Sequence, residues 1–230
     1  MPKTSYAYPS DAITLSIDGS LTITTTGKGQ GAKSLILVPG GSGNAVGAVA
    51  PNTGPYYTPV LDGRIAGWLR ANYNAAILAY TGSGLIARNQ AAVANWGAAA
   101  IGDVSGGSQY FALLYYYNGT RYIALYRGAF SRLGSKTLLG SAVAVTMDTE
   151  AGSLFRLRCG NNGGNVFLAV DQADDADSDV NTDTSGWTNR IEYIDTSASK
   201  ITASGLWCIG AYSDSNAART AQFDIFRGPL

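Results

Sequence analysis

The sequence predicts an all-β protein, an antiparallel two-sheet jelly-roll sandwich, from a chain of 230 residues. Three observations lead there. Strand and turn formers dominate, with 14 Tyr and 29 Gly beside abundant Thr and Ser and only 7 Pro. Turn signals recur about every ten residues, the spacing of sandwich and barrel strands. Long helical periodicity is missing. Residues 90–100 are the one Ala-rich stretch where a short helix could sit, and Gly97 and Gly102 weaken it.

The elements follow in chain order. A first hairpin is expected from strands at 13–17 and 21–25, where Ile13, Leu15 and Ile17, then Leu21 and Ile23, alternate with polar residues. A two-residue turn would put these apolar sets on opposite faces, so a three-residue loop over 18–20 is preferred. A strand at 35–38 precedes two loops, PGGSGNAVG at 39–47 and PNTGPYYTP at 51–59. Strands are then expected at 62–69 and 76–80. The strongest local signal is YFALLYYYNGTRYIALYR at 110–127. Asn118-Gly119 supplies positive φ at both positions of a type I′ turn, which pairs Tyr117 with Thr120 and Tyr115 with Tyr122. One hairpin face then carries Phe111, Leu113, Tyr115, Tyr117, Tyr122, Ala124 and Tyr126. The other carries Ala112, Leu114, Tyr116, Ile123 and Leu125 with Arg121 and Arg127. Both are apolar enough for a central hairpin of two packed sheets. Another hairpin is expected at 154–159 and 166–171 around a loop at 160–165. Strands at 138–147, 191–195, 206–212 and 220–227 bring the total to ten or more, as in jelly rolls. No repeat of 20–50 residues suggests a solenoid or propeller. Residues 60–230 form the clearest sandwich unit, and residues 1–59 either complete it or serve as an attachment arm.

From Leu61 to Arg227 the order of segments resembles the concanavalin A-like, laminin G-like jelly-roll domains. Residues 64–69 and 76–80 resemble their paired early strands, and 110–127, with its L-x-R ending, their central hairpin. Residues 153–170 resemble the next hairpin, with alternating basic residues before a Gly/Asn turn. Residues 205–212 and 221–226 (AQFDIF) resemble the closing pair, with Ile225 where FDNF has Asn. The resemblance spans roughly three quarters of the chain. Joined to an Ala/Gly/Thr-rich composition and an N-terminus, MPKTSY, without the apolar stretch of a secretion signal, it implies a bacteriophage virion protein: a tail fibre, a minor tail protein or a capsid decoration. Such a protein would stand on the virion surface after assembly in the host cytoplasm. Its partners would be other virion proteins, copies of itself and host-surface polysaccharide. In related sandwiches the concave face or the loop rim binds glycans.

Composition narrows the chemistry. Lys+Arg 16 balances Asp+Glu 16, where a nucleic-acid binder would carry a basic excess. No apolar run approaches the roughly 20 residues that span a bilayer. The chain has no His, which removes Ser-His-Asp and Cys-His catalysis and any imidazole base. Its two Glu, Glu150 and Glu192, do not form the E-x-D-x-x-E strand motif of laminarinase-type relatives, so a non-enzymatic role is expected. The two Cys, Cys159 and Cys208, are either buried thiols or a pair.

Three constellations are candidate sites. Tyr115, Tyr117, Tyr122 and Tyr126, with Trp187 from a polar loop, could bind a glycan, since a tyrosine offers an apolar ring and a polar tip; core or subunit interface is the competing reading. Arg121 with Arg127, and Arg156 with Arg158, could clamp acidic sugars or bridge to neighbouring carboxylates. The acidic run at 171–183 alternates Asp175, Asp177, Asp179 and Asp183 as oxygen ligands for calcium, although Val180 and Gly186 stand where an EF-hand needs Gly and Glu; a solvated loop is the alternative. The function expected is a structural virion protein contacting host glycans. The alternatives are a lectin-like carbohydrate-binding module or, further off, a polysaccharide depolymerase.

Overall fold

Asn118 and Gly119 sit at φ 48° and 86°, and the two-residue turn they form closes a hairpin at the middle of one sheet. The computed structural model describes residues 12–17, 19–24, 34–39, 45–51, 60–70, 82–90, 108–130, 134–147, 152–174, 185–213 and 221–227. All regular structure among them is β. Numbered along the chain, an 8-stranded sheet runs β1 (Ala12–Ile17), β4 (Ala45–Pro51), β14 (Leu206–Ser213), β6 (Gly82–Asn89), β7 (Gln109–Tyr117), β8 (Thr120–Gly128) and β10 (Val143–Ala144), with β9 (Lys136–Leu138) also paired to β8. A 7-stranded sheet runs β13 (Trp187–Asp195), β12 (Asn165–Ala173), β11 (Ser153–Asn162), β5 (Gly63–Arg70), β15 (Ala221–Arg227), β3 (Ser34–Pro39) and β2 (Gly19–Thr24). Every pairing is antiparallel. The fold class is the one the sequence predicts, a two-sheet antiparallel jelly-roll sandwich.

Alternation along the strands whose side chains are described divides them between two faces. Leu85, Ala112, Leu114, Ile123, Leu125 and Ile209 of one sheet meet Ile65, Phe155, Leu157, Leu168 and Val170 of the other in a dry core, all at 0% exposure. The outer face of the 8-stranded sheet carries a second cluster of Ile86, Phe111, Leu113, Tyr115, Ala124, Cys208 and Tyr212, with Phe130 packed on it. Two strand glycines make room there. A Cβ at Gly82 would lie 2.6 Å from Leu113 Cδ1, and one at Gly84 would lie 2.9 Å from Phe130 Cε2.

The hairpin register is as expected: Tyr117 pairs with Thr120 and Tyr115 with Tyr122. Other expectations are corrected. Strands β1 and β2 do not form a hairpin, since β1 pairs with β4 in one sheet and β2 with β3 in the other. An alternating strand announces one buried face, but not the sheet to which that face belongs. The loop at 160–165 shrinks to a turn at Gly163 and Gly164 (φ 55° and 84°), with the ladder running on to Asn162 and Asn165. Residues 45–47 join β4 instead of extending the preceding loop. The strand at 138–147 is two short pieces, β9 and β10, separated around Gly140 at φ 76°. The strand expected at 76–80 and, Gln90 apart, the possible helix at 90–100 lie outside the described residues.

Candidate functional site

The central hairpin places its tyrosines by strand alternation alone. Tyr115 and Tyr122 face each other across β7 and β8 with ring centres 5.7 Å apart and 23° between planes. One step along, Phe111 and Tyr126 stack at 5.3 Å and 22°. The four rings form a ribbed aromatic ledge on the outer face of the 8-stranded sheet. Tyr115 is 8% exposed and belongs to the cluster beneath, whereas Tyr117, Tyr122 and Tyr126 are half-buried. The structure therefore brings the four predicted tyrosines onto one surface, anchored at Tyr115 and open at the other three.

Three further residues complete the ledge, and the sequence reading did not include them. Phe130 meets Phe111 and Tyr212 edge-on, with centres 5.2 and 5.4 Å apart. Lys136 holds its ammonium 5.6 Å from the Tyr212 ring centre, and burial lowers its pKa. Tyr212 is fully buried and its hydroxyl has no hydrogen-bond partner among the described residues. Tyr212 comes from β14, two strands from the hairpin, so only the sheet order could have revealed it. Burial pushes the Tyr115 phenol up to about 12, with Tyr126 and Tyr122 nearby adding to the effect. Tyr126 is raised by burial, against a hydrogen bond with Tyr115. These phenols stay neutral near pH 7 and can both donate and accept hydrogen bonds.

Trp187 is not part of this surface. It opens β13 on the outer face of the other sheet, 7% exposed, packed with Ala66 and Leu154 and with the Arg156 guanidinium carbon 4.3 Å from its ring centre. The expectation of an exposed tryptophan in a polar loop is corrected: the strand begins at Trp187 itself.

Arg127, Arg156 and Arg158 engage protein carboxylates. Arg156 is fully buried and Asp171 nearly so; Arg156 Nη2 lies 2.8 Å from Asp171 Oδ2. Arg158 donates to both Asp171 oxygens, Nε at 2.8 Å and Nη2 at 3.1 Å. Burial lowers the Arg156 pKa, opposed by Asp171. Arg127 donates to Asp195 at 2.7 Å, and Arg121 lies over the Tyr116 ring at 5.2 Å.

Asp175, Asp177, Asp179 and Asp183 lie outside the described residues. Among the described residues no group of three His, Cys, Asp or Glu is placed to hold a metal. The two thiols are free and buried in different clusters, Cys159 between the sheets and Cys208 on the outer face.

No protein-family model and no curated protein matches the chain. Similar solved structures include the carbohydrate recognition domain of Emp46p in its potassium-bound form, with 12% identity, 92% of this chain and 88% of that one covered, and a TM-score of 0.48. Lectin I-B4 from Griffonia simplicifolia, metal-free, shares 10% identity over 100% of this chain and 99% of its own, at a TM-score of 0.43. Bacteroides ovatus Xyloglucan PUL GH43B shares 9% identity over 86% of this chain at 0.43, and the chain spans only 32% of its length. At these identities and scores the likenesses concern architecture and carry nothing about ligands.

Proposed function

We propose that the chain is a carbohydrate-binding module of the lectin-like kind, with its site on the tyrosine ledge of the 8-stranded sheet. The observation that carries this reading is the cross-strand stack of Tyr115 on Tyr122 beside half-buried Tyr117 and Tyr126. A saccharide presents axial C–H groups on one face and hydroxyls around its rim. A ledge of phenols offers ring faces to the first and donor–acceptor tips to the second. The role proposed is binding without turnover.

A virion-surface setting, among copies of itself and other virion proteins, belongs to the same proposal and is supported by the sequence resemblance. A charged fraction of 14% suits close packing of copies. Calcium on Asp175, Asp177, Asp179 and Asp183 is likewise proposed, on their alternating carboxylates alone.

A glycan array with the wild-type chain and Tyr122→Ala tests the main reading. At least one glycan class should bind, and Tyr122→Ala should weaken that binding about tenfold, the value of a lost stacking partner in a partly dry site. An array with no binder, or a variant that binds as well as the wild type, would overturn it.

A further inference from the structure

Arg88 is fully buried and has φ 50°, an uncommon backbone for so large a residue. It sits where the β6–β14 ladder shifts register. Gly205 lies against it: a Cβ there would be 2.6 Å from Arg88 Cα. Gly205 in turn bridges Val60, each backbone N–H donating to the other's carbonyl, at 2.8 and 3.1 Å. The Arg88 guanidinium donates to the Leu61 carbonyl at 2.7 Å, to the Ile201 carbonyl at 2.6 Å and to Asp62 Oδ1 at 3.1 Å. The Asn161 N–H donates to the same Asp62 oxygen at 3.0 Å. Residues 60–62 are thus held through backbone and side chain, yet the Asp62 side chain so held stays 56% exposed. Non-glycine residues kept in the left-handed region cluster at ligand clamps and active sites, where the surrounding structure over-determines them.

Asp62 lines a cavity of about 410 Å³ whose walls include Arg158, Gly160 and Phe167. Arg158 and Phe167 reach it from the outer face of the 7-stranded sheet, since Leu157 and Leu168 beside them point into the core. Phe167 pairs with Gly160 on one side and with Ile194, 43% exposed, on the other, which gives the cavity an apolar shoulder. Gly160 leaves the floor open: a Cβ there would meet nothing nearer than Asp62 Oδ1 at 4.0 Å. The charged walls are already in ion pairs. Asp62 is paired with Arg88, and Arg158 donates to both oxygens of Asp171. Arg64, opposite Arg158 on β5, is engaged as well. What these walls still offer is hydrogen bonding. Both protein bonds to Asp62 fall on Oδ1, and the bonds to Asp171 use only two of the five N–H groups of the Arg158 guanidinium.

We infer that this cavity is a second saccharide site, on the sheet opposite the tyrosine ledge, and that it takes a neutral pyranose. One ring hydroxyl donates to Asp62 Oδ2, a neighbouring hydroxyl accepts from Arg158, and the C–H face of the ring rests on the Phe167–Ile194 shoulder. The mixed walls decide between ligands. An anion would have to face the Asp62 carboxylate, and a cation the Arg158 guanidinium. A hydroxyl both donates and accepts, so a vicinal diol serves carboxylate and guanidinium together and brings no charge that needs a partner. The volume lies in the range of small-ligand sites. The inference does not depend on the tyrosine ledge.

The test is an NMR titration of the isotope-labelled full chain with the methyl pyranosides of glucose, galactose and mannose, and with methyl glucuronide. At least one neutral glycoside should shift the amide signals of Gly160, Asn161 and Phe167 saturably, and its affinity should hold in about 0.5 M salt. The glucuronide should bind no more tightly than the glucoside. Gly160→Leu, which fills the floor at a position without left-handed φ, should abolish these shifts. Phe167→Ala should weaken binding about tenfold and serves if Gly160→Leu does not fold. Tyr122→Ala should leave the shifts unchanged. No saturable shift at these amides, a glucuronide that binds more tightly than the glucoside, or full binding by both cavity variants would overturn the site. Shifts confined to the β7–β8 hairpin and lost in Tyr122→Ala would also overturn it, while leaving the ledge reading standing; shifts confined to β11 and β12 would support the cavity without the ledge.

Discussion

Tyr110 of β7 and Asp195 of β13 join the two sheets through the core: the phenol donates to Asp195 Oδ2 at 2.8 Å and accepts from the Ile201 N–H at 2.9 Å. Both residues are essentially without solvent exposure. Tyr110→Phe keeps the ring and removes one oxygen. It leaves a buried N–H without its acceptor and a carboxylate short of one donor, and should cost about 1–3 kcal/mol. Urea denaturation measures this; a loss under about 0.5 kcal/mol would show that water or a shifted backbone replaces the phenol.

Asp195 gives the fold an acid limit. Burial raises its pKa, but hydrogen bonds from Ser197, Tyr110 and Arg127 outweigh that and hold it below the ordinary carboxylate value. The unfolded carboxyl titrates at about 3.9. The stability contributed is therefore complete above that pH and is lost as pH falls through the lower folded value. Urea midpoints between about pH 2 and pH 6 should fall on the acid side for the wild type. Asp195→Asn should be less stable at neutral pH and show a shallower acid decline; an unchanged acid slope would assign the limit to other carboxyls.

Asp171 pairs with two guanidiniums at once, and one of them, Arg156, is wholly buried. Asp171→Asn should cost about 3–5 kcal/mol, because it removes the carboxylate paired with a desolvated guanidinium and leaves that charge buried. Thermal unfolding of the variant checks this, and a shift of less than about 2 °C would mean that Arg156 finds another carboxylate.

Much of the fold could be read from short-range chemistry, and most of the site from one hairpin. Asn118-Gly119 admits few turn geometries, so the pairing of Tyr115 with Tyr122 and the content of both hairpin faces follow from the turn alone. What was not legible depends on contacts between distant segments. Strand β6, GSGLIARN, is not among the expected strands, and the place of its glycines in a sheet shows only once Leu113 and Phe130 are seen above them. Trp187 reads as a loop residue because its neighbours are polar, yet it opens β13 with its ring under Arg156 while Thr188 and Asn189 stay exposed. The Arg64–Arg158 juxtaposition needs the β5–β11 register, which no local pattern specifies.

The thiols should be silent in the native state. Burial pushes Cys159 up to about 12, and Cys208 is raised by burial as well. Thiolate is the reactive form, so neither should react with a maleimide at pH 7.5 until urea unfolds the chain, and mild oxidation should give no intramolecular disulfide. Rapid labelling of Cys208 in the folded protein would mean that the cluster on the outer face opens, since it is packed there with Phe111 and Tyr212.

Tyr212 distinguishes a ligand-facing hydroxyl from an idle one. Its ring is packed by Phe130 and its hydroxyl is buried without a partner among the described residues, a condition that costs about 1–3 kcal/mol relative to a satisfied group. Tyr212→Phe removes the unsatisfied oxygen and keeps the ring, so stability should rise by up to about 1 kcal/mol. If the hydroxyl serves only packing, glycan binding by the ledge is unchanged in this variant. Loss of binding together with a gain in stability would mean that the cluster opens on binding and brings the buried Tyr212 hydroxyl to the sugar. Denaturation and titration on the same preparation measure both, and a fall in stability would show that the hydroxyl is already engaged in the folded protein.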